Sequence, residues 1–513
     1  IWDSVELIYG CRHYVYAADI DYVLLWPELF YGRARFDEQF RNKVKKITKN
    51  SIGIYCRLKI KENREVNMKK DNLKKIIALG LCAAMTVAAL TGCKGNGNAT
   101  NASGTSDKGK TSEGETVTLK VVDWESDEMN AAMQDAFDNV FSVEHPNIKV
   151  EIVKGSYSDY GQQMAGMITA GEAPDVFQGG YDMAASFYQK KLLTDWTDKV
   201  AAEPDFVKSL YEGTMNGWQL DGKTYGFPSL VNVYGVFYNK DILADAGVNE
   251  PTADWTWDDL WVMAEKLKKP TEEKYGLYGF DTSAFGIANI STSYGGAPFM
   301  DKLVGTEKVT VDDKFIDQVT KIQGLIANGT LPKRTYEATN LNSMFEAGEM
   351  ALLYYGQWEV DSLLRNCPDL NWGYAPTPQG ANDRTTIYDT VGWMSPKNLA
   401  HPEETWELIK FMSSDMYKTV LEVTPVAPCA HSASASVFYD VMDEKGHPEV
   451  AEAVKTMMET KTKNGVRYAA DWSSDAGKVW DPTYNNILDG KSKDPVTKLQ
   501  DIEKQINAII ESN

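Results

Sequence analysis

Histidine and cysteine are scarce in this chain. Of 513 residues five are histidine and six are cysteine, and beyond residue 93 the cysteines are Cys367 and Cys429 alone. His145, His401, His431 and His447 stand far apart, and none lies at the spacing a metal site uses. No G-x-S-x-G turn is present to expose a nucleophilic serine. Paired carboxylates for glycoside cleavage carry no weight as a signal, because an acidic chain always supplies some pair. Basic charge is also short: 53 Lys and Arg face 73 Asp and Glu, a net of −20. That balance argues against nucleic acid as a partner. Long apolar runs are few, and none beyond residue 93 has the length of a membrane span. Cys367 and Cys429 are open to two readings, an extracellular disulfide or two buried thiols.

The apolar run that does occur is informative. Met68 is followed by Lys69, Lys70, Lys74 and Lys75, then by Ile76 to Leu90, then by Leu90-Thr91-Gly92-Cys93. A basic flank, a short apolar core and small residues before a cleavage point make a secretory signal. Its end resembles the lipobox of bacterial lipoproteins, which implies acylation of Cys93 and anchoring by more than one chain. Sixty-seven residues stand before Met68. Residues 1–92 hold 16 Lys and Arg against 10 Asp and Glu, a net of +6, so the remainder carries −26. Arg64-Glu65-Val66 can be encoded as a purine-rich ribosome-binding sequence ahead of Met68. The expectation is that Ile1 to Asn67 is upstream DNA translated in frame; a genuine N-terminal domain, with Trp2, Tyr14, Tyr16, Trp26 and Phe30, is the alternative.

Lys94 to Glu115 is Gly, Asn, Ser, Thr and Lys with almost no apolar side chain, and reads as a disordered tether spanning roughly 25 Å r.m.s.. The fold begins at Val117, where Val117, Leu119 and Val121 alternate as a strand. Asp127 to Phe141 has helical spacing, Ile148, Val150 and Ile152 alternate again, Tyr157 to Thr169 is helical, and Asp175 to Phe177 is a third strand. Strand–helix–strand–helix–strand implies parallel pairing with right-handed crossovers. Farther on, Val231 to Tyr238 and Ala351 to Tyr355 read as strands. Trp257 to Leu267 (N-capped by Thr256), Phe315 to Ala327, Leu341 to Glu346, Glu403 to Ser413 and Lys498 to Ile510 read as helices. Trp255, Trp257 and Trp261 fall around one helix start and are expected to pack. Asp175 is expected to bond backbone amides.

Five segments in order resemble one family. They are Gly171-Glu172-Ala173-Pro174-Asp175-Val176, the stretch Pro228 to Asp245, Phe345 to Ala351, Gly356-Gln357-Trp358, and Gly392-Trp393-Met394-Ser395 with Lys397-Asn398. Ser229 and Leu230 depart from the pattern of the second. Together they are similar to the extracellular solute-binding proteins of ABC importers, the group that includes sugar-binding members. The resemblance implies an α/β fold of two lobes, each a mainly parallel sheet flanked by helices, with a hinged ligand cleft. Lobe one is expected over 117–230 plus 386–423 and lobe two over 231–385 plus 424–513. It also implies a binding protein and not an enzyme, with no cofactor and no metal. The expected partners are a small solute, a mono- or oligosaccharide, and the membrane permease, with the protein a lipid-anchored monomer on the outer face of the cell membrane.

A sugar offers hydroxyl edges and apolar C–H faces, so its site needs aromatic planes with carboxylate or amide acceptors. Ligands of such sheets bind beyond the carboxyl ends of strands. Trp124 and Glu125 follow the first strand, and Tyr181 and Asp182 the third. Asn232 and Tyr234 fall near the first lobe crossing. Tyr294 lies in a Ser-Tyr-Gly-Gly loop, and Asp389 precedes the Gly392 motif. Trp358 and Trp393 match family positions that the resemblance places in the cleft. Arg467, Asp471 and Trp472 lie in a late loop. A polyamine or peptide, bound through the same acidic and aromatic groups, is the alternative solute.

Overall fold

The computed structural model describes residues 116–512 apart from 157–158, 270–273, 280–283, 334–340, 382, 466–467, 469 and 471. The signal, Cys93, the tether, Arg467 and Asp471 lie outside the described residues.

The alternation at the start of the fold resolves into β1 (Val117–Asp123) and β2 (Ile148–Lys154), paired in parallel in the register Val117 to Ile148. Leu119 and Val121 face one core while Val122 faces the opposite one. The helix between them runs Asp127–Ala136, capped by the Ser126 hydroxyl on the Met129 amide at 3.1 Å. It widens into a π-turn over Phe137–Phe141. β3 (Val176–Gly180) pairs in parallel with β1 on its other edge. Asp175 accepts the Lys120 amide at 2.8 Å, as expected of a residue tying two strands.

A small hairpin, β4 (Gln219–Leu220) and β5 (Lys223–Thr224), leads into β6 (Phe227–Asn239). At thirteen residues β6 is long enough to serve both lobes. Its first part pairs antiparallel with β9 (Thr385–Met394), and its last part antiparallel with β7 (Leu352–Gly356) and β8 (Trp372–Ala375). β9 continues to β3 at one end, and at the other pairs in parallel with the short β10 (Thr462–Asn464). The sheet order is β2-β1-β3-β9-β6-β7. Thus β6 and β9 are the strands that join the lobe built on β1 to β3 with the lobe built on β7 and β8.

One apolar core runs from Leu119 and Val121 through Val231 and Phe237 to Trp372 and Met457. A second, around Trp257, Phe299, Phe315 and Trp480, fills the far side of lobe two. Thr256 and Asp259 form a reciprocal cap there. Trp257 stacks on Trp261 at 5.7 Å, and the Trp255 indole donates to the Pro376 carbonyl at 2.7 Å, so these tryptophans pack. Cys367 and Cys429 are both free thiols; burial pushes that of Cys429 up to about 12. Among the described residues no helix is long and apolar enough to cross a membrane.

Candidate functional site

The carboxyl end of β1 carries a polar network. Asp123 is fully buried, and its Oδ1 accepts the Glu125 amide at 3.1 Å. The Gln178 side chain, reaching across from β3, donates from Nε2 to Glu125 Oε1 at 2.6 Å and accepts the Trp124 amide at 3.4 Å. The Trp124 ring stands edge-on to Tyr160 at 4.9 Å, and Tyr160 donates to the Val122 carbonyl. Desolvation raises the Asp123 carboxyl to about 6. It raises Glu125 to about 7, with the neighbouring Asp123 charge adding to the shift. Glu125 keeps part of its surface exposed, which makes it a wall residue rather than a sealed one.

Where the lobes cross, Asn232 and Asp389 are register partners on β6 and β9. The buried amide of Gln357, just past β7, holds this crossing. Its Oε1 accepts the Val233 amide at 2.7 Å, and its Nε2 donates to Asn232 Oδ1 at 2.9 Å. Trp358 follows, with its ring edge-on to Tyr234 and Tyr355, each at 5.2 Å. A Cβ on Gly356 would fall 1.9 Å from that ring, so only glycine lets the indole lie there. Burial, with Glu346 nearby, lifts Glu359 to about 7. Arg365 reaches Glu128 at 2.9 Å, which joins the helix after Trp358 to the helix after Glu125.

Beside the crossing lies a cavity of about 280 Å³. Phe285 and Thr292 line it from the Ala284–Ser293 helix, Met300 and Leu303 from a loop of lobe two, Tyr388 from β9, and Lys463 with Asn464 from β10. The Lys463 ammonium sits 4.4 Å from the centre of the Tyr388 ring. Leu303 also packs on Tyr181, Ala185 and Leu220 of lobe one, so one loop both walls the cavity and bridges the lobes. A Cβ on Gly465 would approach the Tyr181 hydroxyl to 3.0 Å, which marks how closely the lobes meet.

The structure sorts the residues expected from the sequence into three groups. Trp124 and Glu125, Asn232 with Asp389, and Tyr234 with Trp358 gather at strand ends or at the crossing; of these Asp389 is buried and the others are partly exposed. Tyr181 and Asp182 open the Tyr181–Gln189 helix after β3, with Tyr181 buried at the contact between lobes and Asp182 partly exposed. The remainder lie elsewhere. Trp393 is fully buried, donates to the Met412 carbonyl at 3.1 Å and belongs to the main core, so its ring offers no surface to a solute. Trp472 is buried against Tyr468. Tyr294 lies against the helix that starts at Trp257; burial, then Asp258, raises its hydroxyl to about 12. Arg467 lies outside the described residues. Sequence reasoning missed Gln357, Tyr388, Leu303, Lys463 and Asn464. Gln357 sat inside a quoted motif without a role. The Thr-Lys-Asn strand has no apolar alternation, and only its pairing with β9 places it. Among the described residues no cluster of His, Cys, Asp or Glu gathers as a metal site.

Comparison with known proteins agrees with this architecture. The sequence profile of the bacterial extracellular solute-binding proteins matches residues 123–419. A binding protein of Brucella abortus is 24% identical over 284 residues, 53% of this chain and 66% of that protein, so the chain spans just under two thirds of it. The galactooligosaccharide-binding protein of Bacillus subtilis is 23% identical over 330 residues, 61% of this chain and 73% of that protein. Among solved structures, an ABC substrate-binding protein from Listeria monocytogenes, determined with cycloalternan, superposes with a TM-score of 0.67. It has 21% identity and covers 77% of this chain and 100% of its own. The sugar-binding protein of Xanthomonas citri gives 0.63 at 18% identity, covering 77% and 98%. These neighbours are substrate-binding proteins, not enzymes. With two α/β lobes joined by crossing strands, and with more than half its length matched by the profile, the chain belongs to the bacterial extracellular solute-binding protein family.

Proposed function

We propose that the protein captures a carbohydrate between its lobes and presents it, unaltered, to the permease of an ABC importer. The cavity at the crossing strands carries this reading. Its lining combines aromatic rings (Phe285, Tyr388) with polar groups (Thr292, Asn464), the pairing a sugar ring needs. Its volume of about 280 Å³ lies near the lower end of ordinary ligand pockets and suits one or two sugar rings. The names of the Bacillus subtilis relatives, galactooligosaccharide- and maltodextrin-binding, support the same class. A polyamine fits less well, because Lys463 would face it as a like charge.

In this reading lobe one comprises 117–230 plus 386–423 and lobe two 231–385 plus 424–513. Hinge motion at β6 and β9 buries the solute, and the partly exposed Trp358, Tyr234, Trp124 and Glu125 extend the binding wall. Cys93 carries the lipid that holds a monomer at the outer face of the membrane. Titration of the purified protein with a carbohydrate panel, followed by tryptophan fluorescence, tests the function. Stoichiometric saturation with the sugar recovered unchanged is the expected result. Chemical conversion of the sugar, or no binding by any carbohydrate at millimolar concentration, refutes it. Incorporation of labelled palmitate, lost in Cys93→Ala, tests the anchor separately.

A further inference from the structure

Several polar groups of the cavity wall are engaged by other protein groups. Asn464 donates to Thr292 at 3.3 Å, and Thr292 donates to the Ala288 carbonyl at 2.8 Å. Lys302 is paired with Glu307. Asp301 gives one carboxylate oxygen to the amides of Glu307 and Lys308, at 3.0 and 3.1 Å. Lys463 is different, an exposed residue that also lines the cavity. Among the described residues it forms no ion pair and no side-chain hydrogen bond, and its ammonium rests on the Tyr388 face at 4.4 Å while lining the cavity. Partial desolvation lowers its pKa, with the Glu212 charge opposing from a distance.

An ammonium has donors and no acceptor, so it is satisfied by an acceptor-rich group, and most strongly by an anion. A neutral sugar is normally met by carboxylate and amide acceptors. Here one Asp301 oxygen already accepts two backbone amides, while beside the Tyr388 ring stands a cation that pairs with no anion among the described residues, in a chain that is otherwise strongly acidic. We propose that the captured carbohydrate is an acidic sugar whose anionic group meets Lys463 while its ring lies against Tyr388. This rests on the carbohydrate reading given above. A carboxylate of a uronic acid, a sulfate ester and a phosphate ester share the required chemistry.

The test is calorimetric titration of the full-length protein. Glucuronate, galacturonate, glucose 6-sulfate and glucose 6-phosphate are each set against neutral glucose, galactose and their short oligomers. The expected result is that at least one acidic sugar binds about ten-fold or more tightly than its neutral counterpart. Added salt should weaken that preference, and the arm that binds best names the source of the anion. Lys463→Met should bring the acidic-to-neutral affinity ratio to about one, and Lys463→Arg should keep it above one. Denaturation midpoints confirm that both variants fold. If neutral sugars bind as tightly as acidic ones, or the ratio survives Lys463→Met, the inference is overturned while the carbohydrate reading stands. If no sugar of either kind binds, the reading beneath it falls as well.

Discussion

Gln357→Leu offers the sharpest test of how the crossing is held. Leucine keeps most of the side-chain volume and removes both halves of the amide. The Val233 amide, 2.7 Å from Gln357 Oε1 in a buried setting, then loses its acceptor. Leaving a buried donor unsatisfied costs about 1–3 kcal/mol. The 2.9 Å bond to Asn232 Oδ1 also disappears, a further contribution of about 0.5–1.5 kcal/mol. The longer approaches of Nε2 to the Val231 and Val426 carbonyls, at 3.3 and 3.4 Å, add little. The sum is a loss on the order of 2–4 kcal/mol. It is to be read from urea denaturation followed by tryptophan fluorescence at fixed pH. Because Asn232 loses its anchor beside Asp389, solute affinity should fall in the same variant. A change in stability below about 0.5 kcal/mol would show that Gln357 is not the staple its geometry indicates.

Three further outcomes are expected. Trp358→Ala should abolish solute binding with little loss of stability, since the indole is partly exposed and meets Tyr234 and Tyr355 only edge-on; unchanged affinity in titration would assign it to packing. Asp123 has a folded-state pKa raised to about 6, so the folded form holds its proton more tightly than the unfolded one. Its contribution is therefore present below the ordinary carboxylate range and is lost as pH rises through 6. Asp123→Asn should gain relative to the parent between pH 4 and 8 by about 1–3 kcal/mol, and a pH-independent difference between the two denaturation curves counts against it. Leu303→Asp places a charge in the apolar contact with Tyr181, Ala185 and Leu220. It should open the cleft, seen as a larger radius of gyration in X-ray scattering and faster solute release; an unchanged profile excludes Leu303 as a bridge between lobes.

Periodicity made lobe one legible because its elements are local: β1, the helix from Asp127, β2 and β3 each carry their own alternation or capping signal. The long strands were legible only in part. The Val231 to Tyr238 run lies within β6, but its start at Phe227 and the whole of β9 depend on pairing between residues some 150 positions apart. The two motif tryptophans show where such reasoning stops. Gly356-Gln357-Trp358 and Gly392-Trp393 each place an indole within two residues of a glycine. Trp358 lies beyond the end of β7, where its ring meets Tyr234 and Tyr355 edge-on and stays partly exposed. Trp393 lies inside β9, opposite Gln178 on one side and Phe227 on the other, and the helix ending at Met412 closes over its ring. A motif specifies residue type and spacing; whether the ring meets solvent is decided by which strands flank it. The same dependence hid Lys463, because a three-residue polar strand becomes a cavity wall only once β9 supplies its partner.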